Sequence, residues 1–165
     1  MLKLRLLVVS LLAPIALGAC QGYDFTVNDR VVYTPDPLFN DYVISDTALA
    51  GCVAQAIEDA KVTQAGQLQS LNCSHAGIEN LDGLATFGNL AILRLSSNKI
   101  RNLVELGQLV VLRELYMEDN RIIDPVPVFD LPLSYLDLKG NPQLQCPGAG
   151  KLAHITTVML PKHCP

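Results

Sequence analysis

The chain has 165 residues, half of them hydrophobic, enough for one domain with a sizeable core and incompatible with general disorder. Aromatic residues make up only 5% and Trp is absent, so the core is expected to rest on Leu, Ile, Val and Ala in a regular packing. The formal charge of −4 argues against nucleic acid as a partner, because phosphates demand clustered Lys and Arg.

Residues 1–19 read as an export signal. Lys3 and Arg5 precede the apolar run Leu6 to Leu17, which is too short to span a ~30 Å hydrocarbon core as a helix. Without this segment 10 basic and 16 acidic residues remain, a charge of −6. The run ends in Leu17-Gly18-Ala19-Cys20, which resembles the lipobox of bacterial lipoproteins. Ordinary signal-peptide cleavage prefers small residues at both −3 and −1, and Leu17 at −3 fits the lipobox better. The resemblance implies cleavage before Cys20, lipidation of that cysteine by diacylglyceryl and further acyl (palmitate-type) chains, and attachment to a bilayer through the lipid anchor only. Gln21 rather than Asp after the cysteine is similar to the pattern that sends such proteins to the outer membrane.

Residues 20–44 read as a tether. Tyr23, Phe25 and Val27 alternate with polar residues, Asn28-Asp29 offers a turn, and Val31 and Tyr33 alternate again before Thr34-Pro35-Asp36-Pro37. That pattern suits a β-hairpin, with a loose linker as the alternative. Residues 45–67 are expected to hold an N-terminal cap. Ser45 or Asp46 can N-cap a helix to about Ala60, whose apolar stripe is Leu49, Cys52, Val53, Ala56 and Ile57.

Residues 68–145 carry an internal repeat. Leu68, Leu71 and Cys73 are followed by Leu90, Leu93 and Leu95, then Leu112, Leu115 and Met117, then Leu133, Leu136 and Leu138. Three residues after each trio stand Ala76, Asn98, Asn120 and Asn141, and two further on Ile78, Ile100 and Ile122, with Gln143 in the fourth unit. Apolar residues then recur every third position: Leu81, Leu84, Phe87; Leu103, Leu106, Leu109; Pro125, Val128, Leu131. This pattern resembles the leucine-rich-repeat family, in the 22-residue form of bacterial internalin-type proteins. The resemblance implies an α/β solenoid: a short array with a parallel β-sheet on its concave side and tight turns opposite, each unit burying its apolar side chains against its neighbours.

Residues 146–165 are expected to cap the array. Beyond Cys20 the cysteines are Cys52, Cys73, Cys146 and Cys164, an even number that suggests disulfides in an exported chain and allows three connectivities. A 52–73 bond would pin the cap helix to the first strand, and a 146–164 bond would close the C-terminal cap. Metal binding is the competing reading; the spacings do not suit zinc, and His75, His154 and His163 show no ligand rhythm, so no metal or cofactor is expected.

Strand alternation places two columns on the concave face: Arg94, Tyr116 and Asp137, beside Ile92, Glu114 and Tyr135, flanked by Glu118 and Lys139. Exposed Tyr beside Arg and carboxylates suits a ligand-binding face, and solvated strand positions with charge pairs (Arg94 with Glu114, Glu118 with Lys139) are the alternative. Four strands offer on the order of 250 Å², against ~800 Å² per partner in a standard protein complex. A peptide, a glycan or a modest protein contact is the ligand class that fits. No catalytic constellation emerges. Ser74-His75 and Glu118-Asp119 are sequence neighbours without partners, Gly148 and Gly150 lack a phosphate-loop motif, and Asn72-Cys73-Ser74 places its cysteine in the core. The expected function is therefore non-enzymatic: a lipid-anchored protein of the bacterial envelope that binds an envelope protein, peptide or glycan. A surface-exposed internalin-like adhesin and a passive structural lipoprotein are the other readings.

Overall fold

A computed structural model describes residues 25–165; the signal segment 1–19 and the lipidation candidate Cys20 lie outside the described residues. Two units are present, divided between Asp36 and Pro37. In the first, β1 (Phe25–Val27) and β2 (Arg30–Tyr33) pair antiparallel as a hairpin. Asn28 and Asp29 both adopt positive φ (51° and 61°), the left-handed geometry a two-residue hairpin turn requires and one these residue types tolerate.

The second unit begins with a segment that the sequence assigns to the tether. Phe39, Tyr42 and Ile44 pack against the buried core, and Phe39 N–H donates to Val62 O at 2.8 Å. Phe39 and Tyr42 stack with centroids 5.9 Å apart and meet Phe87 edge-on at 6.0 and 5.4 Å. The backbone of Val43 lies so close to Gly83 (φ 92°) that any Cβ there would collide with its carbonyl. Aromatic burial thus draws residues 37–44 onto the array.

Helix α1 (Thr47–Ala60) follows, burying Leu49, Val53 and Ile57 and half-burying Cys52 and Ala56, the stripe its sequence spacing predicts. Asp46 caps it, one carboxylate oxygen accepting from Ala48 N (2.9 Å) and Leu49 N (3.0 Å). The other oxygen accepts from Glu79 N (2.8 Å) and Asn80 N (3.1 Å), clipping the helix start to the first repeat. Burial alone would raise the Asp46 pKa, but the four backbone donors outweigh it and hold the carboxyl below the usual range. Lys61 ends the helix in left-handed conformation, its N–H returning to the last carbonyls.

The array itself has five parallel rungs: β3 (Ser70–Asn72), β4 (Ile92–Arg94), β5 (Glu114–Tyr116), β6 (Tyr135–Asp137) and β7 (Thr157–Met159). Each strand is three residues long because only its central side chain, with the apolar residues flanking it, must enter the core. Leu71, Leu93, Leu115 and Leu136 are at most 1% exposed. Short 3₁₀ turns at Leu84–Thr86, Val104–Gln108 and Val126–Val128 form the opposite side, as spacing by three requires.

Between strand and turn runs a buried asparagine ladder. Asn98, Asn120 and Asn141 each donate to a carbonyl of their own unit (Leu95, Met117, Leu138) and to one of the preceding unit (Cys73, Leu95, Met117), at 2.8–3.1 Å. Each also accepts the N–H of the preceding unit's isoleucine, Ile78, Ile100 or Ile122, at 2.9–3.0 Å. One amide therefore satisfies groups on two rungs. Ala76 fits the first unit because no earlier repeat precedes it to be bridged. In the fourth unit Leu144, not Gln143, enters the core.

The fifth rung departs from the sequence expectation, which ends the array near residue 145. Ile155, Val158 and Leu160 follow Leu133, Leu136 and Leu138 at the same 22-residue spacing, so the C-terminal cap is itself a degenerate repeat. Disulfides close both ends: Cys52–Cys73, with Cα atoms 5.9 Å apart, joins α1 to the first unit, and Cys146–Cys164, at 5.3 Å, closes the cap around β7.

Candidate ligand-binding face

Strand register aligns the outward side chains in columns. Asn72, Arg94, Tyr116, Asp137 and Met159 are successive partners, as are Ser70, Ile92, Glu114, Tyr135 and Thr157. The sequence columns from Ile92 to Asp137 are thereby brought together, and Thr157 and Met159 extend them. The repeat pattern does not reach those last two residues, although the β-branched run Ile155-Thr156-Thr157-Val158 carries a strand signal.

At the centre lies an interlocked stack. The Arg94 guanidinium sits over the Tyr116 ring, 4.7 Å from its centroid, and reaches Glu114 at 3.8 Å. The Tyr116 hydroxyl donates to Glu114 at 2.9 Å, and its ring lies 4.6 Å from that of Tyr135. Beyond, Lys139 Nζ pairs with Glu118 at 3.3 Å and Asp137 at 3.4 Å. Asp137 faces outward yet is only 4% exposed, because the Tyr135 hydroxyl (3.5 Å), the Lys139 ammonium and the Lys139 N–H (3.0 Å) enclose its carboxylate. It therefore positions its neighbours more than it offers itself to a ligand. The side chains of Arg94, Glu114, Glu118 and Lys139 remain 35–42% exposed.

These contacts set the local electrostatics. The hydrogen bond to Glu114, with partial burial and the same carboxylate's charge, pushes the Tyr116 hydroxyl above its ordinary pKa. Burial, then the charge of Asp137, does the same for Tyr135. The hydrogen bond to Glu118 and the charge of Asp137 raise the Lys139 ammonium. Each of these shifts favours the protonated form, so near neutral pH Tyr116 and Tyr135 keep the hydroxyl protons they donate to Glu114 and Asp137, and Lys139 keeps its charge. The face thus has stacked aromatic area at its centre, with two cations and two partly exposed carboxylates around it.

Among the described residues, the side chains clustered with metal-ligating potential are Cys146, His163 and Cys164. The two sulfurs are bonded to each other and His163 Nε2 lies 2.9 Å from Leu144 O, which leaves no thiolate to bind a metal. No helix of the described residues is long and apolar enough to cross a membrane.

Parallel rungs, the asparagine ladder, a helical cap and a disulfide-closed end together define a leucine-rich-repeat solenoid. Among solved structures the fold is similar to an internalin (inlF) from Listeria monocytogenes, with TM-score 0.55 and 17% identity over 70% of this chain and 43% of that one. It is also similar to the functional domain of InlJ from Listeria monocytogenes, which includes a cysteine ladder (TM-score 0.50, 22% identity, 70% of this chain and 31% of that one). Internalin C2 from Listeria monocytogenes matches half of this chain and 37% of its own at 32% identity, with TM-score 0.45. The chain thus spans less than half the length of each of these structures. No protein-family model matches the chain, and no curated protein matches it significantly.

Proposed function

We propose that this protein is a non-enzymatic binding module of the bacterial envelope, held to the outer membrane by lipids on Cys20, whose concave face recognises a protein segment. The observation that carries the reading is the Arg94–Tyr116–Tyr135 stack, in which aromatic area, a cation and carboxylates lie in register across three rungs. The internalin-like fold is compatible with it, since such solenoids offer their strands as a continuous surface. With five rungs the face covers on the order of 330 Å², still below half of a standard partner footprint. An extended peptide or a glycan stretch fits that area, and a whole protein would need the flanks as well. The lipobox residues support the anchored location.

The test is a crosslinking pull-down from whole envelopes with the 165-residue chain and a Y116A/Y135A variant. Specific material that falls by about tenfold in the variant upholds the reading, as expected when a central aromatic pair is removed. Equal capture by both moves the site elsewhere; no capture by either favours a passive structural role. Metabolic labelling with a palmitate analogue tests the anchor, and the label is expected to disappear in C20S.

A further inference from the structure

The flank of the solenoid beside the asparagine ladder carries a separate feature. Ile100 points inward and is fully buried, so its neighbours Lys99 and Arg101 project outward and are exposed. Arg121 N–H donates to Ile100 O at 2.9 Å, which sets Arg121 on the next rung directly against that pair. On the preceding rung, Ile78 O accepts the Lys99 N–H at 2.8 Å, and Glu79 beside it pairs with Lys99 Nζ at 3.1 Å. Neither Arg101 nor Arg121 forms an ion pair among the described residues. Lys99, Arg101, Arg121, Glu79, Pro142 and Gln143 line one groove of about 570 Å³.

The lining of this groove carries three cations and one carboxylate, an excess of two positive charges in a chain whose overall charge is −4, while Arg101 also borders the adjoining pocket lined by Asp82 and Glu105. The only acid lining it is already engaged by Lys99. Arg101 and Arg121 sit diagonally on adjacent rungs and line the same groove, so their guanidinium forks can converge on the oxygens of a tetrahedral oxyanion, each donating in its own plane. A phosphate monoester carries about −1.5 to −2 at neutral pH, which matches that excess better than a single carboxylate does. We propose that the groove binds a phosphate group, held by Arg101 and Arg121 with Lys99 at its edge. The phosphate can come from a soluble compound or from a lipid headgroup.

The test compares the 165-residue chain with R101Q/R121Q in two arms: calorimetric titration with inorganic pyrophosphate, and co-sedimentation with phosphatidylcholine vesicles with and without phosphatidic acid, whose headgroup is a phosphate monoester. The apolar segment before Cys20 contributes equally in both proteins, so only the increment caused by the anionic lipid is read. Binding in either arm that drops at least about tenfold in R101Q/R121Q, and is unchanged in K151Q/K162Q, supports the site. A signal with pyrophosphate alone identifies soluble phosphate as the source, and one with vesicles alone identifies the headgroup. No binding in either arm overturns the proposal, as does an equal loss in K151Q/K162Q, which would reduce the effect to diffuse surface charge.

Discussion

Replacing Asn120 by Ala removes the middle amide of the ladder, which is 4% exposed. Its loss strips the buried Ile100 N–H of its side-chain acceptor at 3.0 Å. Leu95 O and Met117 O each lose one donor but keep another, from Asn98 at 2.8 Å and Asn141 at 3.0 Å respectively. An orphaned buried N–H costs about 1–3 kcal/mol and each shared hydrogen bond about 1 kcal/mol net, so N120A is expected to lose about 3–5 kcal/mol. Asn98 lacks that redundancy on its outer side, because Ala76 leaves Cys73 O with the Asn98 donor alone (2.9 Å) in the ladder. N98A should therefore cost at least as much as N120A despite its place near the end of the array. Asp at 120 can still accept from Ile100 but cannot donate to the two carbonyls, so N120D should be no better than N120A at neutral pH. Urea unfolding checks the set, with lowered midpoints at unchanged slope. A loss below about 1 kcal/mol in N120A would refute the assigned role of the ladder.

The Asp46 carboxylate has its pKa depressed in the folded state, so its stabilisation is present above the unfolded-chain value and disappears as pH falls through the folded one. Thermal melts from pH 7 to 2 should show an acid loss that D46N lacks, and D46A should cost about 2 kcal/mol at neutral pH through the lost cap and the two bonds to repeat one. Removing Cys52–Cys73, a separation of 21 residues, as C52A/C73A should cost about 3 kcal/mol by denaturant titration. Opening Cys146–Cys164 as C146A/C164A should instead show as faster amide exchange confined to Thr157–Met159, while β3 to β6 stay protected.

Four rungs of the array were legible because each unit repeats the same apolar trio, and the two middle units follow it with both an amide for the turn and an isoleucine. A period of 22, shortened to 21 before the fourth unit, fixes register as well as fold, and so the columns through Arg94 and Tyr116 could be read directly. The fifth rung was hidden because the cap keeps the trio Ile155, Val158, Leu160 but drops the amide and isoleucine that follow it elsewhere. Residues 37–44 were misleading for the opposite reason. Their Pro-rich start reads as a linker, and nothing periodic announces that Phe39 and Tyr42 find Phe87. Nor does any local pattern mark Gly83, whose requirement comes from the Val43 carbonyl packed against it. Of the concave residues, alternation gave the direction of Asp137 but not its enclosure, which depends on Tyr135 and Lys139 folding over it. The pairing of the four cysteines likewise depended on which ends the solenoid brings together.

The concave face is the centre of this account, and a photo-crosslinking residue tests it most directly. Placed at Ile92, beside the Arg94–Tyr116 stack, it should capture a specific envelope component in living cells. The same residue at Val126, exposed on the opposite turn side, should not. Capture at Val126 with none at Ile92 would contradict the account and assign recognition to the other face of the solenoid.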